Sequence, residues 1–344
     1  MKILCLFITL AALNASANAQ TKVNIPPDSL LSSWMNEYKI PAAAIGIIEN
    51  GAVKTTKVSG EIKPGIPASN NTLFQVASLT KPIVEMTTLR LVSQRHWSLD
   101  EPLFHYWTDP DVANDTLNRL LTTRHVIAHQ TGFVNWRWLH STGKLTFDFK
   151  PGTRTQYSGE GLEYLKRSLE MKFKMPLQDI VTRYLFTPTG MHDTHFYWDG
   201  NVQEERYAIA YNKDVKPYDI RKNTEASAAD LLMTTIADYT LFGASVINKK
   251  GLTESIWKDM VSIQGKDSAA KFGLGWEVYN GLANDEFALI HGGSDPGVRT
   301  IIIILPKSKR GLVIFTNSDN GMRLILKIVA HSLDVGEELI KRGK

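Results

Sequence analysis

A serine three residues ahead of a lysine opens the chemistry of this chain. The stretch Phe74 to Pro82 reads FQVASLTKP and sets Ser78 and Lys81 at the mouth of a long apolar run. A serine hydroxyl is a weak nucleophile until a base removes its proton. Residues three apart share a helix face, so a helix beginning here lets the two side chains touch. Lys81 can act as that base if burial or nearby positive charge depresses its pKa. The helix N-terminus adds partial positive charge at the reacting centre. Alone, S-x-x-K occurs by chance in many chains, and a surface Ser and Lys is the bland alternative. The apolar character of the helix argues against that alternative.

Two more clusters carry candidate chemistry. Tyr157, in TQYSGEG, offers a phenol that near two cations can ionise and shuttle a proton to a leaving group; otherwise it anchors a turn. His291-Gly292-Gly293 ends the run FALIH. Glycines there let a substrate lie against a strand, and backbone N–H groups can bind an oxyanion; otherwise a strand simply ends in a glycine turn. Arg299, after the Pro296-Gly297 turn, suits a substrate carboxylate as well as it suits a strand surface. His192 and His195 in MHDTH have no third ligand at zinc-like spacing, and H-E-x-x-H is absent, so neither metal nor cofactor is expected. Gly-rich phosphate loops and G-x-S-x-G elbows are absent too. Trp136 and Trp138 in NWRWL read equally as pocket lining or core.

The elements that must hold these residues follow from periodicity. Residues 29–38 predict a helix after a Pro-Pro-Asp-Ser start. Two β-rich runs flank Asn50-Gly51, a strong hairpin signal. From Ser78 to about Gln94 apolar residues fall on most sides, which predicts a buried helix. Pro82 is tolerated only near the start of a helix, which places Ser78 at its first turn. Residues 162–171 and 231–246 read as helices, and a last helix spans about 322–341. FGLGWEVY, FALIHGG, VRTIIIILP and RGLVIFTNS read as strands. Strands at both ends with helices between predict an α+β fold. One antiparallel sheet is built from both chain ends and flanked by the terminal helices, with a mainly helical region inserted. The sheet domain takes residues 20–100 and 265–344, the helical one 101–264.

Composition bounds the function. The first residues, MKILCLFITLAALNASANAQ, read as a secretory leader, residues 1–19, with an A-x-A cleavage site. Its apolar run is too short to span a bilayer, and no later stretch is long enough. Secretion, into a periplasm, is the expectation. The only cysteine, Cys5, lies in that leader, so the mature chain has no disulfide, cysteine nucleophile or cysteine-ligated metal. Over 344 residues a large core is feasible without staples. A formal charge of +4 is weak evidence for any partner. KRSLEMKFK, residues 166–174, reads as a solvated helix face, and no stacking platform accompanies it for nucleic acid. The expected partner is a small-molecule or peptide substrate, cell-wall-derived ones included.

Together the order and separation of S-x-x-K, Tyr157 and His291-Gly292-Gly293 resemble the serine β-lactamase and penicillin-binding-protein superfamily. The similarity runs from about residue 28 to 335 and is nearest the class C β-lactamase-related serine hydrolases, which include esterases, D-aminopeptidases and D,D-carboxypeptidases. HVIAHQTG, FDFKPGTRTQYSG, LFTPTGMHDTHF and HGGSDPGVRT support it. The resemblance implies a Ser78 acyl-enzyme, Lys81 as base, Tyr157 as proton shuttle, and an oxyanion hole from the N–H groups of Ser78 and Ser294. It makes His291, Gly292, Gly293 and Gly159 substrate-binding positions. Gly159 stands where the family usually has Asn, with Glu160 or a water as substitutes. His291 stands where β-lactamases usually have Lys. Both departures lower the expectation of efficient β-lactam turnover and leave acyl transfer intact. A penicillin-binding or muropeptide-sensing module with little turnover is the alternative reading.

Overall fold

The computed structural model describes residues 23–265 and 271–343; the expected leader lies outside the described residues. Among the described residues ten strands follow in chain order. β1 (Ala42–Glu49), β2 (Ala52–Lys63) and β3 (Ile66–Pro67) come from the N-terminal end. β4 (Phe74–Gln75), β5 (Thr194–His195) and β6 (Met233–Thr234) are short. β7 (Glu277–Leu282), β8 (Glu286–Asp295), β9 (Val298–Leu305) and β10 (Arg310–Thr316) close the chain. The main sheet runs β3-β2-β1-β10-β9-β8-β7, all antiparallel, so the two chain ends meet at its centre. The expected α+β architecture is the one observed. Asn50 and Gly51 both take positive φ, 53° and 73°, the geometry of a two-residue hairpin turn.

The helices are α1 (Asp28–Tyr38), α2 (Thr80–Ser93), α3 (Thr123–Ile127), α4 (Gly159–Phe173), α5 (Leu177–Val181), α6 (Thr187–Thr189), α7 (Ile236–Ile247), α8 (Glu254–Met260), α9 (Gly321–Ser332) and α10 (Gly336–Arg342). Alternation along the central strands decides which helices cover which face. Ile45, Ile303, Leu312 and Ile314 pack with Leu31 of α1 and with Leu324 and Ile328 of α9. Ala44, Ile302, Val313 and Phe315 point the other way, into the larger core shared with α7 and the helical body. α7 lies within the stretch 101–264 but packs on the sheet, whereas α2 packs against α5 and α8.

Three predicted elements differ in detail. The helix expected from residue 231 begins at Ile236, because Thr235 caps it by accepting from the Asp238 N–H at 3.2 Å. The residues just before, Met233 and Thr234, pair with Phe74 and Gln75 instead. The strand expected over 272–279 starts only at Glu277; Gly275 N–H bonds to the Ile127 carbonyl at 2.7 Å and holds the preceding segment off the sheet. The last helix is two, since Leu333 is extended and Arg310 of β10 holds Asp334 at 2.8 Å.

Candidate active site

Ser78 sits in a 3₁₀ turn, Ala77–Leu79, that feeds directly into α2. Ala77 holds φ at 50°, a left-handed conformation that costs a non-glycine residue of order 1–3 kcal/mol. Neighbouring segments fasten this turn on several sides. Val76 N–H donates to the Leu232 carbonyl at 2.9 Å, Thr300 Oγ1 donates to the Val76 carbonyl at 2.9 Å, and Tyr239 donates to the Leu79 carbonyl at 2.7 Å. Gly293 of β8 lies flush against the same turn. A Cβ there would stand 2.5 Å from the Val76 carbonyl oxygen and 2.3 Å from Thr300 Oγ1. Only glycine permits that approach, and it brings Ser294, the next residue, to the edge of the nucleophile's turn.

Lys81, the second residue of α2, is fully buried. Its Nζ donates to Ser78 Oγ at 2.9 Å and to the Ala229 carbonyl at 2.7 Å. Burial lowers its pKa to about 8, against the opposing pull of Asp230, Glu85, Glu163 and Asp295. A hydrogen-bonded lysine that is half neutral near pH 8 meets the requirement for a general base.

Tyr157 precedes Ser158, the cap of α4, whose Oγ accepts from Gly161 N–H at 3.1 Å. His129 brackets the tyrosine. Its carbonyl accepts from Gln156 N–H at 2.7 Å, its Nδ1 accepts from Ser158 N–H at 3.3 Å, and its ring lies 4.3 Å from the phenol ring. Burial pushes the Tyr157 pKa well up, and a hydrogen bond to Ser78 only partly offsets this. The phenol therefore stays protonated. The expectation of a phenol ionised by two cations meets only one, Lys81, whose Nζ lies 4.9 Å from the ring centroid. The other position is His291, 6.3 Å from the Tyr157 ring and held neutral because burial drives its pKa down to about 3. His291 forms part of the wall: Nδ1 lies 2.9 Å from the Gly292 carbonyl and the buried Nε2 has no partner among the described residues.

Gly159 opens α4, and its N–H donates to the Asn135 side chain at 2.8 Å. Of the expected stand-ins for the family's amide, the packing leaves Glu160 facing elsewhere. The Trp136 ring occupies that place, 2.9 Å from where a Cβ would be. Its ring centroid also lies 6.0 Å from Lys81 Nζ. Glu160 is committed to Arg137, whose Nη2 it meets at 2.8 Å. Of the two tryptophans, Trp136 reaches the site and Trp138 stacks on it from outside, 65% exposed. Arg299 is also corrected. Its guanidinium pairs with Asp319 at 3.2 Å and donates to the carbonyls of Asp295 and Val298. That clamps the Pro296-Gly297 turn rather than presenting a free fork to substrate. His195 faces Asp193 and Asp199 in the small sheet.

Sequence reasoning missed several residues that shape the site. The Ala229 carbonyl and Asp230 lie just before the stretch read as a helix from residue 231, where no motif marks them. Asp295 is visible one residue past HGGS, yet nothing in the motif marks it as facing Lys81. His129 lies in HVIAHQTG, where its left-handed φ of 54° has no sequence signal.

A profile of the Beta-lactamase family matches residues 27–331, and the chain belongs to that family. It is 22% identical over 328 residues to Protein flp of Staphylococcus aureus (strain MW2), covering 88% of this chain and 64% of that protein. It is 27% identical over 225 residues to Esterase EstB of Burkholderia gladioli, covering 56% of each. The chain thus spans less than two-thirds of the length of these curated relatives. A class C beta lactamase from Rhodobacter sphaeroides superposes with a TM-score of 0.71 at 18% identity, over 88% of this chain and 97% of that one, so the two share the fold.

Proposed function

We propose that this chain is an exported serine hydrolase that cleaves an ester, amide or peptide through an acyl-enzyme on Ser78. The contact that carries the reading is Lys81 Nζ, 2.9 Å from Ser78 Oγ on an amine depressed to about 8. Neutral Lys81 takes the hydroxyl proton as Oγ bonds to the substrate carbonyl carbon. The oxyanion is received by the N–H groups of Ser78 and Ser294. The Tyr157 phenol, hydrogen-bonded to Ser78, relays a proton to the leaving oxygen or nitrogen as its bond to carbon breaks. In the second half neutral Lys81 takes a proton from a water as its oxygen bonds to the acyl carbon, and that proton returns to Ser78 Oγ as the Ser78 ester bond breaks. Removing one oxyanion donor typically costs roughly 10²–10³ in rate. Export rests on the leader pattern of residues 1–19. No described helix is long and apolar enough to cross a membrane.

Turnover of p-nitrophenyl acetate, with labelling of Ser78 by a fluorophosphonate, tests the reading. Ser78→Ala abolishes both and Tyr157→Phe slows turnover. A folded wild type that neither labels nor turns over overturns it. The Trp136 ring beside Gly159 favours one second reading, a penicillin-binding or muropeptide-sensing domain that acylates and deacylates slowly. One burst of p-nitrophenol per chain without steady turnover marks that case.

A further inference from the structure

One residue holds the chain on both sides of Tyr157. The Gln156 N–H donates to the His129 carbonyl at 2.7 Å, and the Ser158 N–H donates to His129 Nδ1 at 3.3 Å. Between these contacts the imidazole lies against the phenol, with centroids 4.3 Å apart and planes 38° from parallel. Phe272 meets the same imidazole edge-on at 4.7 Å. His129 reaches this place through a left-handed backbone, φ 54°, which is unfavourable for a side chain of its size.

The contacts also fix the state of the ring. A neutral imidazole has one donor and one acceptor nitrogen. Nδ1 accepts from Ser158, so the proton sits on Nε2. That Nε2 is buried with no partner among the described residues, and His129 is wholly shielded from solvent. Burial, with Lys81 and His291 nearby, drives the His129 pKa well below the ordinary 6.5, so Nδ1 stays an acceptor across the working range. A buried N–H without a partner is costly, and a hydrocarbon ring would avoid it. What a hydrocarbon lacks is the acceptor for Ser158 N–H.

The phenol hands on its proton only while its hydroxyl stays on Ser78, to which it is hydrogen-bonded. Glu85, Asp230 and Glu277 act on the phenol from a distance and raise its pKa; Asp230 in turn shares a hydrogen bond with Asp295. Those carboxylates strengthen the hold on the proton. The direction in which the phenol offers it is set by the backbone of residues 156–158 and by the rings packed on it.

We propose that His129 is the positioning residue of the proton relay: its carbonyl and Nδ1 fix the chain on either side of Tyr157, and its ring backs the phenol. The inference rests on the hydrolase reading above, in which Tyr157 protonates the leaving group, and it names what aims that proton. A misplacement of about 1 Å can cost on the order of 100-fold in such a step.

The test compares kcat/KM for p-nitrophenyl acetate and phenyl acetate, per Ser78 titrated with a fluorophosphonate, so that misfolded protein is not counted. Both esters give the same acetyl-enzyme. Nitrophenolate departs without a proton, whereas phenolate departs slowly unless one is supplied. His129→Phe keeps a ring and removes the acceptor. It should raise the p-nitrophenyl to phenyl ratio roughly tenfold or more, with p-nitrophenyl acetate itself changing by less than about threefold. His129→Asn offers Oδ1 in place of Nδ1, and asparagine tolerates a left-handed backbone. It should return most of the ratio toward wild type. In a Tyr157→Phe background, His129→Phe should leave the ratio unchanged. A role confined to stability would lower both esters alike. If His129→Phe does not fold, nitrogen NMR of the wild-type histidines decides: the signal lost in His129→Asn should show a protonated Nε2 and a bare Nδ1. An unchanged ratio in His129→Phe, an Asn variant no better than Phe, or a His129 protonated on Nδ1 overturns the assignment and leaves the hydrolase standing. So does a wild type that turns over p-nitrophenyl acetate but not phenyl acetate. Absence of p-nitrophenyl acetate turnover overturns the hydrolase reading and the relay with it.

Discussion

Lys81 Nζ stands over the ring of Tyr157, 4.9 Å from its centroid, while its two hydrogen bonds go to Ser78 Oγ and the Ala229 carbonyl. The amine thus touches the π-face of the phenol and not its hydroxyl. A cation against the ring face is attracted to it but forms no hydrogen bond that would draw off the phenolic proton. With His291 neutral, no second positive charge assists. The division of labour follows: Lys81 removes the serine proton, and Tyr157 works as a protonated donor.

That division fixes a pH profile. Lys81 is active as the free amine, so kcat/KM for a neutral ester should climb with pH, about tenfold per unit, and level off above about 8. Stopped assays across pH 5–10 check it. His291→Lys places a second cation beside Lys81 and should move the rising limb to lower pH. Lys81→Arg, charged throughout, should cost roughly 10²–10⁴ in kcat/KM at pH 8.

The Trp136 ring and the missing side chain at Gly159 should behave as one unit. A Cβ on residue 159 meets Trp136 at 2.9 Å, so Gly159→Asn alone should lower both stability and turnover. Combined with Trp136→Ala, the amide has room near Lys81. The double variant should then exceed the sum of the single effects by about 1 kcal/mol or more. Unfolding curves and amide turnover for the four members of the cycle measure the coupling; strict additivity contradicts it.

Arg299 should act on stability rather than on charge recognition. It binds Asp319 and two carbonyls around the turn that follows Asp295. Arg299→Ala should therefore lower stability by roughly 1–3 kcal/mol and reduce turnover of acidic and neutral esters alike. A rise in KM confined to acidic substrates would restore the carboxylate-anchor role expected from sequence.

Much of this was legible in advance because it depends on short-range pattern. The buried helix after Ser78, the Asn50-Gly51 hairpin and the sheet assembled from both chain ends all announce themselves through periodicity and turn chemistry. What stayed hidden depends on contacts far apart in sequence. Residues 231–235 carry helical periodicity, but pairing of Met233 and Thr234 with Phe74 and Gln75 outweighs it. The fate of Arg299 turned on Asp319, twenty residues on. Gly159 announced a lost side chain, but not that an indole had taken the space. The acidic pair of Asp230 and Asp295 joins residues 65 apart, with no shared motif to link them.

Glu85 was invisible for the same reason, and it yields a sharp test. It lies on α2 one turn beyond Lys81, fully buried, with neither carboxyl oxygen hydrogen-bonded among the described residues. Burial raises its pKa well above the ordinary 4.5, only partly opposed by Lys81. In the unfolded chain it ionises near that ordinary value. Between the two values the unfolded state gives up a proton that the folded state keeps. Stability is therefore lost as pH rises from about 4.5 toward the folded pKa. Glu85→Gln removes this titration and keeps the shape. The variant should match wild type near pH 4, exceed it at pH 8, and keep kcat/KM within a few-fold, since Ser78 and Lys81 hold their contacts. Urea unfolding at both pH values decides the matter. A variant less stable at pH 8 than wild type would mean that Glu85 is ionised there and paired with a protonated Lys81, which would also raise the pH at which the base becomes active.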